Sequence, residues 1–189
     1  MVRKNFIEHA WPVLCNTTEI YDPLTDSWTT GAQMPDFGTG FEVASKSERI
    51  DSAVLDNKIY AIVDTSLHIY DTEADVWSYG ADLLSSIKGA TACATTGSFA
   101  PKRLRFLGLD AHYIYDLSAD VWASAAPILA SRYSVELGGV DDVLYAIGGV
   151  IGDPLGIPAA SPKTQNTNEG YTPLGYIPEF HYHTFIFCC

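Results

Sequence analysis

The residues of this chain that could do chemistry are its imidazoles, its thiols and a recurrent set of aspartates. His181 and His183 flank Tyr182 and would share one side of a strand, with Cys188-Cys189 nearby. A metal site there would need four converging ligands and a supporting outer layer of hydrogen bonds, so a disordered tail end is the plainer reading. His68 and His112 precede Tyr70 and Tyr115 by two and three residues, which puts them on opposite sides of their strands relative to that Tyr. Surface or inter-sheet packing is expected of both. Asp22, Asp71 and Asp116 each follow a tyrosine. A carboxylate recurring at one place in every unit suits turn capping, because an active site needs one constellation and not a copy per unit. Asp141-Asp142 and the stretch from Asp71 to Asp75 lack the ligand ladder of a calcium loop. No Gly-rich phosphate loop, GxSxG elbow or HExxH occurs. The residues therefore predict no catalytic centre, no metal and no cofactor.

The elements that would position these groups follow from a period. Tyr21-Asp22 with Trp28, Tyr70-Asp71 with Trp77 and Tyr115-Asp116 with Trp122 are three copies of one pattern, 49 and 45 residues apart. Such spacing denotes an array of one supersecondary unit. In the second unit Ser52–Leu55, Ile59–Val63, Ser66–Tyr70 and Val76–Tyr79 read as strands, with turns at Asp56-Asn57-Lys58 and from Asp71 to Asp75. The third unit offers Arg103–Gly108, His112–Tyr115 and Val121-Trp122, and a fourth begins with Tyr133–Leu137, a turn at Asp141-Asp142 and Val143–Gly149. The first unit retains Glu19-Ile20-Tyr21, an Asp-Pro turn and Trp28. Asp82–Thr96 could pass for a short helix through Leu83, Leu84 and Ile87, but the strand period outweighs it. The longest connections are Thr30–Arg49, Asp82–Lys102 and Ile151–Asn168, and Phe37, Phe41 and Phe99 are the aromatic candidates on them for partner contact.

A lone four-stranded antiparallel sheet cannot bury both faces. Radial stacking of such sheets about an axis solves this, with each tryptophan a wedge between neighbours and a large share of the core between them. The tyrosine hydroxyl then needs a polar partner, the following Asp accepts turn amides, and Gly148-Gly149 permits a close approach or a turn at positive φ.

Bulk composition agrees. The 189 residues are 47% hydrophobic and 18% charged, so a packed core is expected. A net charge of −12, from 23 acidic and 11 basic residues, makes nucleic acid a poor partner. No stretch of eighteen apolar residues is present to span a bilayer. Met1 to Leu14 meets Glu8, His9 and Pro12 where a secretion signal would be apolar. Cys15, Cys93, Cys188 and Cys189 share no metal spacing, and Asn16-Thr17-Thr18 fits a glycosylation acceptor.

Ile20-Tyr21-Asp22-Pro23-Leu24-Thr25-Asp26-Ser27-Trp28 with Met34-Pro35, Leu144–Gly149, and Arg132 ahead of the latter resemble the kelch repeat over about residues 18–176. The resemblance implies an all-β fold, a kelch-type β-propeller of about three complete four-stranded blades plus partial ones. An open, incomplete arc is expected, with a closed four-bladed ring as the alternative. The structural repeat residues are then Tyr21, Asp22, Trp28, Tyr70, Asp71, Trp77, Tyr115, Asp116, Trp122, Gly148 and Gly149. Val63-Asp64 and Gly108-Leu109 stand where the double glycine would be, so altered turns are expected there. Asn168–Tyr176 and Ile177–Phe180 are similar to the closing strand and stalk of kelch proteins secreted by archaea, while 177–189 departs from that pattern as an aberrant tail. A truncated copy is the expectation, with blades over 1–176 and a long loop over 151–168. The implied function is non-enzymatic binding of a protein or glycan at the cell exterior, with self-association through open blade edges as a hazard. The alternatives are a fragment of a propeller oxidase or lyase and an intracellular adaptor. A copper radical oxidase would need a Tyr–Cys cross-link and two His, for which Cys15 and Cys93 offer no setting.

Overall fold

The computed structural model describes residues 16–35, 51–87, 89–109, 111–132, 135–151, 163–164 and 168–176. Among them the chain is all-β and every strand pairing is antiparallel. The first sheet joins β1 (Glu19–Asp22) to β2 (Ser27–Thr30). The second is a meander of β3 (Asp51–Leu55), β4 (Lys58–Val63), β5 (Ser66–Asp71) and β6 (Val76–Tyr79). The third repeats it with β7 (Thr91–Thr95), β8 (Arg103–Leu107), β9 (His112–Asp116) and β10 (Val121–Ser124). The fourth runs β11 (Glu136–Val140), β12 (Val143–Ile147) and then β15 (Asn168–Tyr171). A short hairpin of β13 (Val150–Ile151) and β14 (Lys163–Thr164) interrupts the path from β12 to β15.

Turn chemistry explains the meanders. Asp56-Asn57 (φ 51° and 59°) and Asp141-Asp142 (φ 51° and 62°) are two-residue turns with both central residues left-handed, which match the twist of the strands they join. Asp22 Oδ1 accepts the Leu24 N–H at 2.8 Å, Asp71 Oδ1 accepts those of Glu73 and Ala74 at 3.1 and 3.0 Å, and Asp116 Oδ1 accepts that of Ser118 at 2.9 Å. Asp26, Asp75 and Asp120 close these turns at φ 49°, 53° and 54°. Short aspartate tolerates that conformation where bulkier residues do not. Each tyrosine of the repeat then stands directly across its hairpin from the tryptophan: Tyr21 from Trp28, Tyr70 from Trp77, Tyr115 from Trp122.

Strand register makes the fourth sheet equivalent to the two before it. Ile59 pairs with Tyr70, Leu104 with Tyr115 and Leu144 with Tyr171. Tyr171 thus occupies the repeated tyrosine position, and β15 the third-strand position. Gly148 and Gly149 turn at φ 68° and 98°. At the matching places Asp64 alone is left-handed (φ 57°), and neither Gly108 nor Leu109 has positive φ, so both turns do differ.

First strands line up side by side, β3 against β7 and β7 against β11. The core fills the spaces between sheets. Leu67, Leu104 and Phe106 are wholly buried between the second and third, together with Tyr60, Leu83 and Tyr115. Leu107, Val135, Leu137, Leu144 and Ala146 fill the space between the third and fourth.

Several expectations are corrected. Among the described residues two sheets have four strands, the fourth has three and the first has two. The Asp82–Lys102 connection contains strand β7, and Ile151–Asn168 contains β14. The strand expected at Tyr133–Leu137 lies at Glu136–Val140. Asp82 to Ile87 is an irregular linker that buries Leu83 and Ile87 and leaves Leu84 in solvent. The tryptophans are not the buried wedge. Trp77 and Trp122 are half-buried, Trp28 is 67% exposed, and it is Tyr70 and Tyr115 that are buried. The indoles sit on the last strand of each sheet, where one side meets water. Tyr70 and Tyr115 lie one strand inward and are buried.

Candidate functional site

The contacts between sheets are built from three residues of each hairpin. Tyr70 donates its hydroxyl proton to Asp75 Oδ1 at 2.7 Å, and Tyr115 to Asp120 Oδ1 at 2.6 Å. The same carboxylate oxygens accept a backbone N–H from the preceding sheet, Ala32 to Asp75 and Ala81 to Asp120, both at 2.7 Å. The indole N–H then donates to the carbonyl of that same residue, Trp77 to Ala32 at 3.0 Å and Trp122 to Ala81 at 2.7 Å. One residue at the exit of each of the first two sheets is therefore gripped by both its donor and its acceptor. Burial, then the carboxylate beside it, pushes the Tyr70 hydroxyl up to about 12, and the same causes raise that of Tyr115. Asp75 is held below the ordinary carboxylate range by the Ala32 N–H and then the Tyr70 hydroxyl, and Asp120 by the Tyr115 hydroxyl and then the Ala81 N–H.

The third sheet has the same exit. Gly31, Gly80 and Ala125 each donate their N–H to a carbonyl thirteen residues back, that of Thr18, Leu67 and His112 (31−18, 80−67, 125−112), at 2.9, 3.0 and 2.8 Å. Ala126 therefore matches Ala32 and Ala81. No indole reaches it among the described residues. Its carbonyl instead faces His112 Nδ1 at 2.8 Å, and the Leu129 N–H donates to Glu169 Oε2 at 2.6 Å. An open cleft of about 370 Å³ lies beside Ala126, walled by Leu107, Ile128, Leu137, Leu144 and Tyr171, with His112, Asn168 and Glu169 as its polar lining.

Charged groups brace this cleft. Arg132 is wholly buried, donates to the carbonyls of Gly148 at 2.7 Å and Ala130 at 3.2 Å, and pairs with Glu169. Burial would raise the Glu169 carboxyl, but Arg132 and the Leu129 N–H outweigh it and hold it low. Tyr171 is packed between the His112 ring, edge-on at 5.1 Å, and the Arg105 guanidinium, 5.4 Å above its centroid. Burial lowers both His112 and Arg105 from their ordinary values. His112 Nε2 and Arg105 Nε and Nη1 have no hydrogen-bond partner among the described residues. The His112 imidazole is thus buried in the cleft wall with Nδ1 against a backbone carbonyl.

The remaining candidates fall as follows. His68 is buried in the second sheet, its ring 6.4 Å from that of Trp77 and 5.0 Å from that of Tyr79. Phe99 is half-buried against Tyr176 at 6.0 Å, not displayed to solvent. Phe37, Phe41, Cys15, His181, His183, Cys188 and Cys189 lie outside the described residues. Cys93 is a half-buried free thiol, pushed up by burial. Among the described residues no group of three His, Cys, Asp or Glu could hold a metal, and no helix is long and apolar enough to cross a membrane. Sequence reasoning missed Asp75, Asp120, Asp142 and Glu169. Asp142 is buried and accepts the N–H groups of Thr96, Phe99 and Ala100 at 2.5, 2.8 and 3.0 Å, which anchors the β7–β8 connection to the fourth sheet. The legible signal was the second Asp of each hairpin, five residues after its tyrosine (26−21, 75−70, 120−115). Comparison with protein-family models and with curated proteins finds no match for this chain.

Proposed function

We propose that this chain is a non-enzymatic kelch-type β-propeller module, an open arc of blades that binds a protein partner outside the cell. The single observation that carries the reading is the largely apolar cleft between the third and fourth sheets. Its walls are mostly aliphatic and aromatic, and of its polar groups His112 Nδ1 faces the Ala126 carbonyl and Glu169 pairs with Arg132, while His112 Nε2 has no hydrogen-bond partner among the described residues. Such a site rewards burial of an apolar or aromatic side chain at roughly 25 cal/mol per Å². A glycan would need several unengaged donors and acceptors, so of the two partner classes a protein fits better.

The test is titration with N-acetyl-tryptophanamide, followed by NMR of the Leu137, Leu144 and Ile128 methyl groups. Saturable shifts with a dissociation constant of about 1 mM or tighter are expected, and Ala146→Phe, which supplies the ring that Phe106 gives the third sheet, should abolish them. Unmoved methyl resonances up to about 10 mM would sink the reading. Shifts caused instead by a neutral oligosaccharide would transfer it to a glycan.

A further inference from the structure

The first sheet carries the same gripping residues as the second and third, with nothing in the grip among the described residues. Tyr21 donates to Asp26 Oδ1 at 2.8 Å, and its ring stacks on Trp28 with centroids 5.1 Å apart at 43°. The occupied copies have 2.7 Å, 5.0 Å and 34° at Tyr70, and 2.6 Å, 5.0 Å and 44° at Tyr115. Asp26 also shares the left-handed backbone of Asp75 and Asp120. The geometry is therefore preset before anything is held. Yet Tyr21 is 44% and Trp28 67% exposed, against 2% for Tyr70 and 3% for Tyr115.

The two occupied copies define what fits. Each holds a Gly-Ala pair without positive φ, Gly31-Ala32 or Gly80-Ala81, through the alanine N–H and C=O. The residue before the alanine has to be glycine. A Cβ at Gly31 would stand 2.8 Å from the Tyr70 hydroxyl, and one at Gly80 2.7 Å from that of Tyr115. Where the exit carries Ala125 in place of glycine, no such grip forms among the described residues.

We propose that Tyr21, Asp26 and Trp28 form an open peptide clamp. It captures an extended segment of a partner polypeptide in which glycine precedes a small residue, through one backbone N–H and one backbone C=O. A second copy is a poor source. Among its described residues, Gly31 and Gly80 are already clamped, Gly89, Gly97 and Gly148, which precede Ala, Ser and Gly, turn at φ 60°, 93° and 68°, and Gly138-Gly139 lies within β11. The occupant is thus a different polypeptide, recognised mainly through its backbone and by the absence of one Cβ.

The probe is an acetylated, amidated peptide of residues 78–84, Ser-Tyr-Gly-Ala-Asp-Leu-Leu. It is titrated into the full chain while the indole Nε1–H resonance of Trp28, assigned from Trp28→Phe, is followed. A downfield, saturable shift with a dissociation constant of about 1 mM or tighter is expected. The peptide carrying Gly80→Ala should bind at least about tenfold more weakly, and Asp26→Ala should remove binding. Both protein variants change exposed residues, so the fold survives them. The proposal is overturned by no shift up to about 10 mM, by equal binding of the alanine peptide, or by binding that persists in Asp26→Ala. Concentration-dependent dimerisation that buries Trp28 without peptide would overturn the assignment to a different polypeptide.

Discussion

Trp122 and Ala81, on neighbouring sheets and 41 residues apart, are joined by an indole N–H donated to a backbone carbonyl at 2.7 Å, while the N–H of the same alanine binds Asp120. Trp77 and Ala32 repeat the arrangement. The sheets are therefore registered by directional bonds at their outer edge and by apolar packing further in. That division of labour shapes how substitutions should behave.

Trp77→Ala should cost about 2–3 kcal/mol, below the ~3–5 kcal/mol of a fully buried aromatic, because one side of the ring already faces water. Trp28→Ala, at the most exposed indole of the repeat, should stay within about 0.5 kcal/mol. Urea midpoints of the two variants measured side by side distinguish them. Equal losses would contradict the assignment of Trp77 to a contact between sheets.

Three glycines should respond differently to the same change. Gly80→Ala drives a Cβ to 2.7 Å from the Tyr115 hydroxyl and should cost about 1–3 kcal/mol by overpacking. Gly139→Ala places one 2.9 Å from Cys93 Sγ, where β7 and β11 run closest, with a similar loss. A Cβ at Gly138 meets nothing within 4 Å, so Gly138→Ala should gain about 0.4–1 kcal/mol through the unfolded chain. Thermal unfolding of all three checks the order.

The two buried arginines should diverge. Arg132 is paired and fully bonded, so Glu169→Ala leaves an uncompensated buried charge and should cost about 3–5 kcal/mol. Arg105 is buried with two nitrogens unbonded among the described residues, and Arg105→Met removes that desolvation, with stability unchanged or raised. A large loss on Arg105→Met would show that its contact with Tyr171 outweighs desolvation.

Stability should decline in two stages as pH falls. His112 is held neutral by burial, so its contribution is complete above the unfolded value of about 6.5 and fades below it. Asp75 and Asp120 have depressed folded values. Their contribution is present above the unfolded value of about 3.9 and is lost as pH drops through the folded ones. The raised Tyr70 hydroxyl adds a loss on the alkaline side, beginning near the unfolded value of about 10 and continuing to about 12. Urea midpoints from about pH 3 to 8 should bend near both lower values, with His112→Gln removing the upper bend. A flat profile would contradict the buried state of His112 and the carboxylate bonds alike.

Much of the architecture was legible in the chain. The Tyr-Asp and Trp period marks the hairpins because a turn of fixed length, with aspartates at both ends, sets the tyrosine opposite the tryptophan. Strand β7 was hidden because its Thr-Ala-Cys-Ala-Thr run has neither a strong period nor large side chains, and it is a strand by virtue of pairing with β8. Arg105 gives no hint of burial from its neighbours, and Tyr171 approaches it from another sheet.

The sequence by itself determined the repeating hairpins and the all-β class, because both rest on contacts a few residues apart and on local backbone preference. Tertiary structure alone decided that Tyr70 and Tyr115 are buried more deeply than Trp77 and Trp122, that Ala32 and Ala81 are the gripped residues, and that a cleft opens beside Ala126. Those outcomes depend on which backbone groups of one sheet meet the side chains of the next. The partners lie some forty residues away along the chain, and no local pattern records the meeting.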